Sequence, residues 1–228
     1  MAGMDVSLIT PVRQNSIWIE DFVKSFREMT VEPKKVELLL GISYTDTKTR
    51  FFDDNIQMLI VDDRKRRWGV GDYQNKLASI SKGKLLWMIH DDCRIKTKGW
   101  DQLLAPYAEK YAGSPYCLLP NKMDNGGTSY PMVTRKYYDI CGRFTGITQS
   151  DAWIWQVFKY LPPDRTIQID ELIMEDRRFS EHIPLEAFFF PEPEIPGGPV
   201  NWHDPEIQQG MKDDAEKLKE FIKNESIL

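Results

Sequence analysis

The first two thirds of the chain alternate short apolar runs with stretches of helical periodicity, and this alternation constrains the fold most. Residues 6–10 (VSLIT), 36–42 (VELLLGI), 56–61 (IQMLIV) and 85–89 (LLWMI) are short and bounded by polar or proline residues. Between them, apolar side chains recur at three- and four-residue spacing, as in residues 18–29. This pattern predicts an α/β fold, with a sheet of buried strands connected by crossover helices.

The remaining pattern completes this architecture. Apolar periodicity predicts helices over residues 72–82, 99–111, 135–141 and 150–161, and Gly83 is expected to end the first of them in a left-handed cap. Further strands are predicted at residues 116–119, 130–133 and 166–174. Asp124-Asn125-Gly126-Gly127 is a turn signal between the first two of these strands.

The C-terminal part has a different composition. Residues 191–205 are rich in proline and glycine and predict a long loop, and Asp204 and Pro205 then start a final helix. For 228 residues, we expect one domain over residues 1–190, with residues 191–228 forming a loop and helix packed on the same domain.

Composition excludes several classes of protein. Hydrophobic residues make up 41% and charged residues 29%, which is ordinary for a globular chain and excludes a disordered or fibrous one. No signal peptide or membrane-spanning stretch is predicted, and the three cysteines lack a CxxC spacing, so we expect a cytoplasmic protein with reduced thiols. The net charge of -5 argues weakly against a general nucleic-acid binder.

Two carboxylates follow the fourth apolar run. His90, Asp91, Asp92 and Cys93 come directly after residues 85–89. Open α/β sheets bind ligands just outside the carboxyl ends of their strands, and carboxylates are preferred ligands of Mg²⁺ and Mn²⁺. The Asp pair therefore indicates a cation site, although two acidic residues can also simply end a strand.

Five elements in order resemble the nucleotide-sugar glycosyltransferases of the GT-A fold, and among them the family 2-like group. They are the opening VSLITPV, the stretch G-x-x-x-YQNKLASISKGKLLWMIHDDCRI, the Asp pair within it, the TKGWDQLL helix and the PMVTRKYYDICGRF segment that leads to Asp151. The resemblance covers roughly residues 5–160. It implies a Rossmann-like mixed sheet flanked by helices in a single domain with a C-terminal loop and helix.

The resemblance also implies a site for a nucleotide-sugar donor with Mn²⁺ or Mg²⁺. Asp92 is expected to hold the cation, with Asp91 beside it in the donor site. The family pattern is usually Asp-x-Asp, and Cys93 stands where a carboxylate is expected. Some GT-A enzymes complete the metal sphere with a C-terminal histidine, so His203 is a candidate third ligand, although a surface histidine next to a helix cap is equally plausible.

Other residues are expected to contact the donor. These are Thr10, Pro11 and Arg13 after the first strand, Ser43 after the second, Arg67 in the basic run of residues 64–67, and Asn75 on the following helix. Guanidinium groups pair well with phosphate oxygens, although a basic run is also common in solvated loops. The second strand ends without the acidic residues that usually contact the nucleoside, so Ser43 or Asp46 is expected to substitute through hydrogen bonds.

Asp151 resembles the carboxylate that activates the acceptor in inverting members. An inverting displacement needs a general base for the acceptor hydroxyl. The alternative is that Asp151 caps its helix. Trp153 and Trp155 could stack on a sugar, or they could be core residues.

The resemblance thus implies a metal-dependent, inverting glycosyltransferase whose acceptor is a glycan, a lipid-linked sugar, a protein or a modified nucleic acid. Two alternatives remain open. A nucleotidyltransferase of related fold would also use a carboxylate pair and a cation, but it would normally have a glycine-rich loop where residues 10–15 have no glycine. The other is a catalytically inactive sugar- or nucleotide-binding module, which the departures from the family pattern at Cys93 and at Gly41-Ile42 keep open.

Overall fold

The structure is a computed structural model that describes residues 3–12, 16–51, 53–62, 69–122, 130–147, 149–177 and 204–225. Within these residues, eight strands form one mixed sheet in the order β3-β2-β1-β4-β7-β6-β8-β5. The strands are β1 (Val6–Pro11), β2 (Val36–Ser43), β3 (Ile56–Val61), β4 (Leu85–Met88), β5 (Cys93–Ile95), β6 (Cys117–Lys122), β7 (Met132–Thr134) and β8 (Thr166–Asp176).

The described helices are α1 (Ile19–Met29), α2 (Val70–Ile80), α3 (Trp100–Tyr111), α4 (Arg135–Cys141), α5 (Ser150–Lys159) and α6 (Pro205–Glu225), with short 3-10 turns at Pro33–Lys35 and Pro163–Arg165. Each begins within two residues of its predicted position, because each follows the apolar periodicity of its sequence. Asp204 receives a hydrogen bond from the Glu206 backbone N–H at 2.8 Å, so it starts α6 as predicted.

The sheet is parallel on one side and mixed on the other. β3, β2, β1 and β4 are parallel neighbours, whereas β7 pairs antiparallel with β4 and with β6. The chain leaves β1 toward β2 and β3 and then returns to the other side of β1 as β4. This reversal is a topological switch point, where open α/β sheets leave a ligand-binding crevice at the carboxyl ends of the strands.

Helices pack on both faces of the sheet. A Cβ on Gly41 of β2 would lie 2.8 Å from the Tyr73 ring, so Gly41 faces α2 and permits its close approach. Trp87 of β4 faces α3, with its ring centroid 5.4 Å from that of Trp100. The pairing of the strands places Gly41 and Trp87 on opposite faces, because side chains alternate along a strand.

Two details of the sequence prediction are wrong. Gly83 does not form a left-handed cap, since α2 already ends at Ile80 with an extended Ser81. Gly83 is instead a site of close approach to β1, where a Cβ would lie 2.4 Å from the Ser7 backbone nitrogen. The short strand β5 was not predicted, because a three-residue strand has too few residues to show an alternating pattern.

The C-terminal helix belongs to the same core. Met211, Ala215 and Leu218 of α6 are buried, and the helix packs against α4 and α5. In the part of the chain that the structure describes, no helix is long and apolar enough to cross a membrane.

Candidate functional site

The Asp pair lies in a tight turn between β4 and β5. The Cys93 backbone N–H donates to the His90 carbonyl at 3.3 Å, which closes the turn around Asp91 and Asp92. The exposed fractions of Asp91 and Asp92 are only 2% and 1%. The turn follows the carboxyl end of β4, directly at the switch point of the sheet.

Asp92 is held through both its backbone and its side chain. Its carbonyl accepts a hydrogen bond from the Arg177 backbone N–H at 3.0 Å, and the Cys93 thiol approaches its Oδ1 at 3.7 Å. Burial raises the pKa of the Cys93 thiol well above its usual value, and the charge of Asp92 raises that pKa further. Cys93 is therefore a neutral neighbour of Asp92 at physiological pH and not a second anion.

The structure adds two residues that the sequence analysis did not select. The Tyr130 hydroxyl donates to Asp176 Oδ2 at 2.7 Å, and both side chains are fully buried. Tyr130 also presents its ring edge-on to the His90 ring, with 5.3 Å between the centroids. Asp176 ends β8, directly opposite Cys93 of β5. Sequence spacing carries no signal for this pairing, because register between strands distant in sequence is set by tertiary packing.

The predicted donor residues on neighbouring strands lie at the same edge of the sheet. Thr10 and Pro11 end β1, and Ser43 ends β2. Thr10 Oγ1 is buried and has no hydrogen-bonding partner among the described residues. The Ser43 hydroxyl lies 2.7 Å from the Thr45 hydroxyl, in a local turn.

Asp46 has a structural role in its own loop. Its Oδ1 accepts from the backbone N–H groups of Lys48 and Thr49, each at 2.8 Å, and its Oδ2 accepts from the Thr49 hydroxyl at 2.8 Å. These bonds order the loop that follows β2. A role for Asp46 in reading a nucleobase stays a prediction.

Asn75 connects α2 to the segment before α5. Its Oδ1 accepts from the backbone N–H groups of Phe144 and Thr145 at 2.7 and 3.0 Å, and its Nδ2 donates to the Thr145 carbonyl at 2.8 Å. The predicted donor contact of Asn75 is not tested by these bonds. They make Asn75 a positioning residue for residues 144–145. Beside it, Gln74 is fully buried and both ends of its amide lack partners among the described residues.

The N-terminus of α5 brings Asp151 toward the end of β4. The Ser150 hydroxyl lies 2.7 Å from Met88 Sδ, and Met88 is the last residue of β4. Asp151 is partly exposed, and the residue at the N-cap is Gln149. Asp151 is therefore not the cap of α5, although its charge is favourable in the first helical turn.

The two tryptophans of α5 have different environments. Trp153 is buried against Gly146 and Gly210, so it is a core residue and cannot stack on a sugar. Trp155 is only partly buried, and the Lys159 ammonium lies 5.4 Å from its ring centroid.

Three predicted site residues, Arg13, Arg67 and His203, lie outside the described residues. Among the residues that are described, no three His, Cys, Asp or Glu side chains are arranged to hold a metal ion by themselves. Mg²⁺ and Mn²⁺ are commonly bound by one or two carboxylates together with substrate phosphates. Asp91 and Asp92 lie at the same edge of the sheet as the Thr10 hydroxyl, which has no partner among the described residues, and this set fits a cation that is bound jointly with a substrate.

Comparison with known proteins identifies the architecture. Neither a protein-family model nor a curated protein sequence matches the chain. Among solved structures, S. aureus TarS 1–349 superposes with a TM-score of 0.59 at 12% identity, over 92% of this chain and 71% of TarS 1–349. The same TarS fragment has been crystallised in complex with UDP and with UDP-GlcNAc.

Two further structures share the fold. The mannosyltransferase PcManGT from Pyrobaculum calidifontis, in complex with GDP-Man and Mn²⁺, has a TM-score of 0.53 at 13% identity, over 76% of this chain and 58% of its own. GalNAc-T7, with UDP, GalNAc and Mn²⁺, has a TM-score of 0.54 at 12% identity, over 76% of this chain and 43% of its own. This chain therefore spans about half the length of these two proteins. At such identities, the likeness establishes the fold alone.

Proposed function

The chain has the GT-A fold of nucleotide-sugar glycosyltransferases, and we propose that it transfers a sugar from a nucleoside-diphosphate sugar to an acceptor hydroxyl. Within this function, we propose a divalent cation, Mn²⁺ or Mg²⁺, and inversion at the anomeric carbon. The acceptor class stays open among a glycan, a lipid-linked sugar, a protein and a modified nucleic acid.

One observation carries the proposal. Ser150 at the start of α5 contacts Met88 at the end of β4, and these two element ends carry Asp151 and the Asp91-Asp92 turn, respectively. We propose that these two element ends border one crevice. Its buried carboxylate pair would suit the cation and diphosphate of a donor, and the partly exposed Asp151 would suit a proton acceptor.

The donor would lie across the carboxyl ends of β1, β2 and β4. A bound cation would neutralise the charge that grows on the departing diphosphate. Asp92 would hold this cation, with Asp91 beside it, and Thr10, Pro11 and Ser43 would line the nucleoside side of the crevice. Arg13, Arg67, Asn75 and His203 remain candidates for further donor or cation contacts.

Asp151 would act as the general base. As the acceptor oxygen bonds to the anomeric carbon, the bond from that carbon to the diphosphate oxygen breaks, and the acceptor proton passes to the Asp151 carboxylate. The products are the glycosylated acceptor, the nucleoside diphosphate and a protonated Asp151. Asn75 would support this step by fixing residues 144–145, which lead into α5.

The first test is a thermal-shift panel of UDP, UDP-GlcNAc, GDP-Man and further nucleotide sugars, each with and without Mn²⁺. A ligand that binds only the folded chain raises the melting temperature by mass action. We expect at least one nucleotide to stabilise the chain in a Mn²⁺-dependent way. We expect Asp92→Asn to lose this effect, and Asp139→Asn, which changes an exposed carboxylate on α4, to retain it.

The reaction products distinguish the alternatives. A glycosyltransferase that hydrolyses its donor slowly releases free sugar and nucleoside diphosphate, whereas a nucleotidyltransferase cleaves at the other phosphate. Asp151→Asn should lower turnover at least a hundredfold while nucleotide binding stays within about twofold, since general-base catalysis contributes roughly 10² to 10⁴. Nucleotide binding without turnover in the unmodified chain would indicate a binding module, and absence of any nucleotide effect would overturn the proposal.

A further inference from the structure

We infer that Gln74 binds the sugar of the donor, through hydrogen bonds from both ends of its amide to hydroxyl groups of that sugar. The inference rests on the proposed function, because it concerns the sugar that would lie between the Asp91-Asp92 turn and Asp151. Gln74 is not among the residues that the sequence analysis selected for the donor site.

The amide of Gln74 is buried without a partner. Its exposed fraction is 0%, and neither Oε1 nor Nε2 has a hydrogen-bonding partner among the described residues. A buried amide that makes no hydrogen bond costs free energy, and nearly all buried polar groups in folded proteins are hydrogen-bonded. The Gln74 amide therefore indicates a partner from outside the described residues, and its position in the fold shows which kind of partner fits.

Helix geometry turns Gln74 toward the sheet. α2 packs against β1 and β2, and a Cβ on Gly41 of β2 would lie 3.2 Å from Leu77 Cδ1. On another side of the helix, a Cβ on Gly71 would lie 2.3 Å from the Ile147 carbonyl oxygen. Position 74 lies midway between positions 71 and 77 around a helix. The Gln74 side chain therefore points between these two contacts, at the strands below α2.

Gln74 also lies at the edge of the sheet where ligands bind. Gly41, which is next to Leu77, pairs with Pro11, the last residue of β1. Gln74 is nearly one turn closer to the start of α2, and α2 follows the carboxyl end of β3. Side chains on a helix lean toward its N-terminus. The amide is therefore directed to the carboxyl ends of the central strands.

The start of α5 lies on the same side of the sheet. Side chains alternate along β1, so Ile9 and Pro11 share a face. Their partners are Met88 on β4 and Gly41 on β2, so Met88 faces α2 as Gly41 does. The buried Ser150 hydroxyl lies 2.7 Å from Met88 Sδ, and sulfur is a weak acceptor. A second polar group with a weak partner thus lies on the α2 side of β4.

The position beside the start of α5 favours the sugar as the ligand group. Asp151 follows Ser150, and a general base must reach the acceptor oxygen as that oxygen attacks the anomeric carbon. The transferred sugar therefore lies next to Asp151. Nε2 of Gln74 donates and Oε1 accepts, and two neighbouring hydroxyls of a sugar can satisfy both atoms, since each hydroxyl donates and accepts.

Access to the amide requires a small movement. The backbone at Ile147 lies against the first turn of α2 at Gly71, and Gln74 is closed off from solvent. We expect a bound sugar to displace this backbone from α2. Hydrogen exchange at residues 145–147 should therefore change when UDP-GlcNAc or GDP-Man binds, and change less with UDP or GDP.

Gln74→Met tests the inference, because methionine has a similar length and removes both polar ends. An unsatisfied amide destabilises the folded chain, so the melting temperature without ligand should rise by about 2 to 4 °C. With Mn²⁺ present, affinity for UDP-GlcNAc or GDP-Man should fall about tenfold or more, while affinity for UDP or GDP stays within about twofold. Isothermal titration calorimetry measures these affinities on the full chain.

A matched control uses the same substitution elsewhere. Gln102→Met changes an exposed glutamine on α3, and it should alter neither the melting temperature nor the affinities. A purely structural role for Gln74 predicts the opposite result, a lower melting temperature for Gln74→Met. That result, or equal weakening of nucleotide and nucleotide-sugar binding, would contradict the inference. If Gln74→Met overpacks and does not fold, the smaller Gln74→Leu decides by the same two measurements.

The nucleotides without sugar separate this inference from the proposed function. If the unmodified chain binds neither the nucleotides nor the nucleotide sugars with Mn²⁺, the donor site itself is wrong and both proposals fall. If the nucleotides bind and Gln74→Met binds the nucleotide sugars as tightly as the unmodified chain does, only the role of Gln74 is wrong.

Discussion

Gly210 of the C-terminal helix lies against the indole ring of Trp153, so closely that a Cβ at position 210 would be 2.9 Å from Trp153 Cη2. A Cβ on Gly146 would be 2.4 Å from the same ring atom. Trp153 therefore packs against two glycines, and it lies two residues after Asp151 on α5. The C-terminal helix thus contributes to the position of the proposed base.

Gly210→Val should destabilise the protein and lower its turnover. The added side chain overpacks the contact with Trp153, which costs about 2 kcal/mol in the free energy of unfolding. Displacement of α5 should also reduce kcat for donor hydrolysis. Urea denaturation and steady-state kinetics measure the two effects. Valine is a better helix former than glycine, so helix propensity cannot explain a loss at position 210. Lys212→Val, at an exposed position of the same helix, introduces the same side chain away from Trp153, and an equal loss in both variants would contradict the packing argument.

Asn75→Ala should loosen the segment that leads into α5. It removes three hydrogen bonds to the backbone of the buried residues Phe144 and Thr145, so we expect a loss of about 2 to 3 kcal/mol in the free energy of unfolding. Asn75→Asp retains the two bonds that Oδ1 accepts but places an oxygen against the Thr145 carbonyl. Its free energy of unfolding should lie between those of the unmodified chain and Asn75→Ala. Lys76→Ala, at the exposed neighbour, serves as the control in the same denaturation series.

Stability should decrease in mildly alkaline solution because of the cysteines. Burial raises the pKa of Cys93 and of Cys117, and it raises that of Cys141 to about 12. In the unfolded chain a thiol ionises near about pH 8.5. The three buried thiols therefore contribute their full stabilisation of the folded chain below that pH. It is lost as the pH rises toward the folded-state pKa values, by up to about 1.4 kcal/mol per pH unit for each thiol.

Urea denaturation between pH 7.5 and 9.5 under reducing conditions measures how steeply the free energy of unfolding falls with pH. Cys117→Ala removes one of the three titrating thiols and should reduce the slope by about a third, whatever its effect on absolute stability. A free energy of unfolding that is flat with pH over this interval would contradict the prediction.

An ion pair joins α6 to the segment before α5, and removing its cation should destabilise the chain more than neutralising its carboxylate. Arg143 Nε donates to Asp214 Oδ2 at 2.9 Å, and Asp214 is fully buried whereas 37% of the Arg143 side chain is exposed. Arg143→Met leaves a buried carboxylate with Lys217 as its one remaining ion-pair partner among the described residues, so we expect a loss of about 3 kcal/mol. Asp214→Asn leaves a guanidinium that can reach water, and it should cost about 1 to 2 kcal/mol. A larger loss for Asp214→Asn than for Arg143→Met in urea denaturation would show that burial does not determine which partner is costlier to remove.

Much of the fold could be predicted because its signals are local. The apolar runs that became β1, β2, β3 and β4 are continuous in sequence, and the carboxyl ends of parallel strands meet at one edge. The positions of Thr10, Ser43 and Asp91-Asp92 at that edge therefore followed from the pattern alone. β5 was not predicted, because it is short and is defined by its pairing with β8.

The sequence by itself determined the α/β architecture, its order of elements and the placement of a carboxylate pair after a buried strand, since hydrophobic periodicity and polar strand ends are properties of neighbouring residues. Tertiary structure decided which side chains distant in sequence come into contact. Asp176 opposite Cys93, Asn75 beside residues 144–145 and Gly210 against Trp153 all depend on strand register and helix packing. Strand register and helix packing are set only when the whole core assembles, because each of these contacts joins residues that are far apart in sequence and carry no local signal of their proximity.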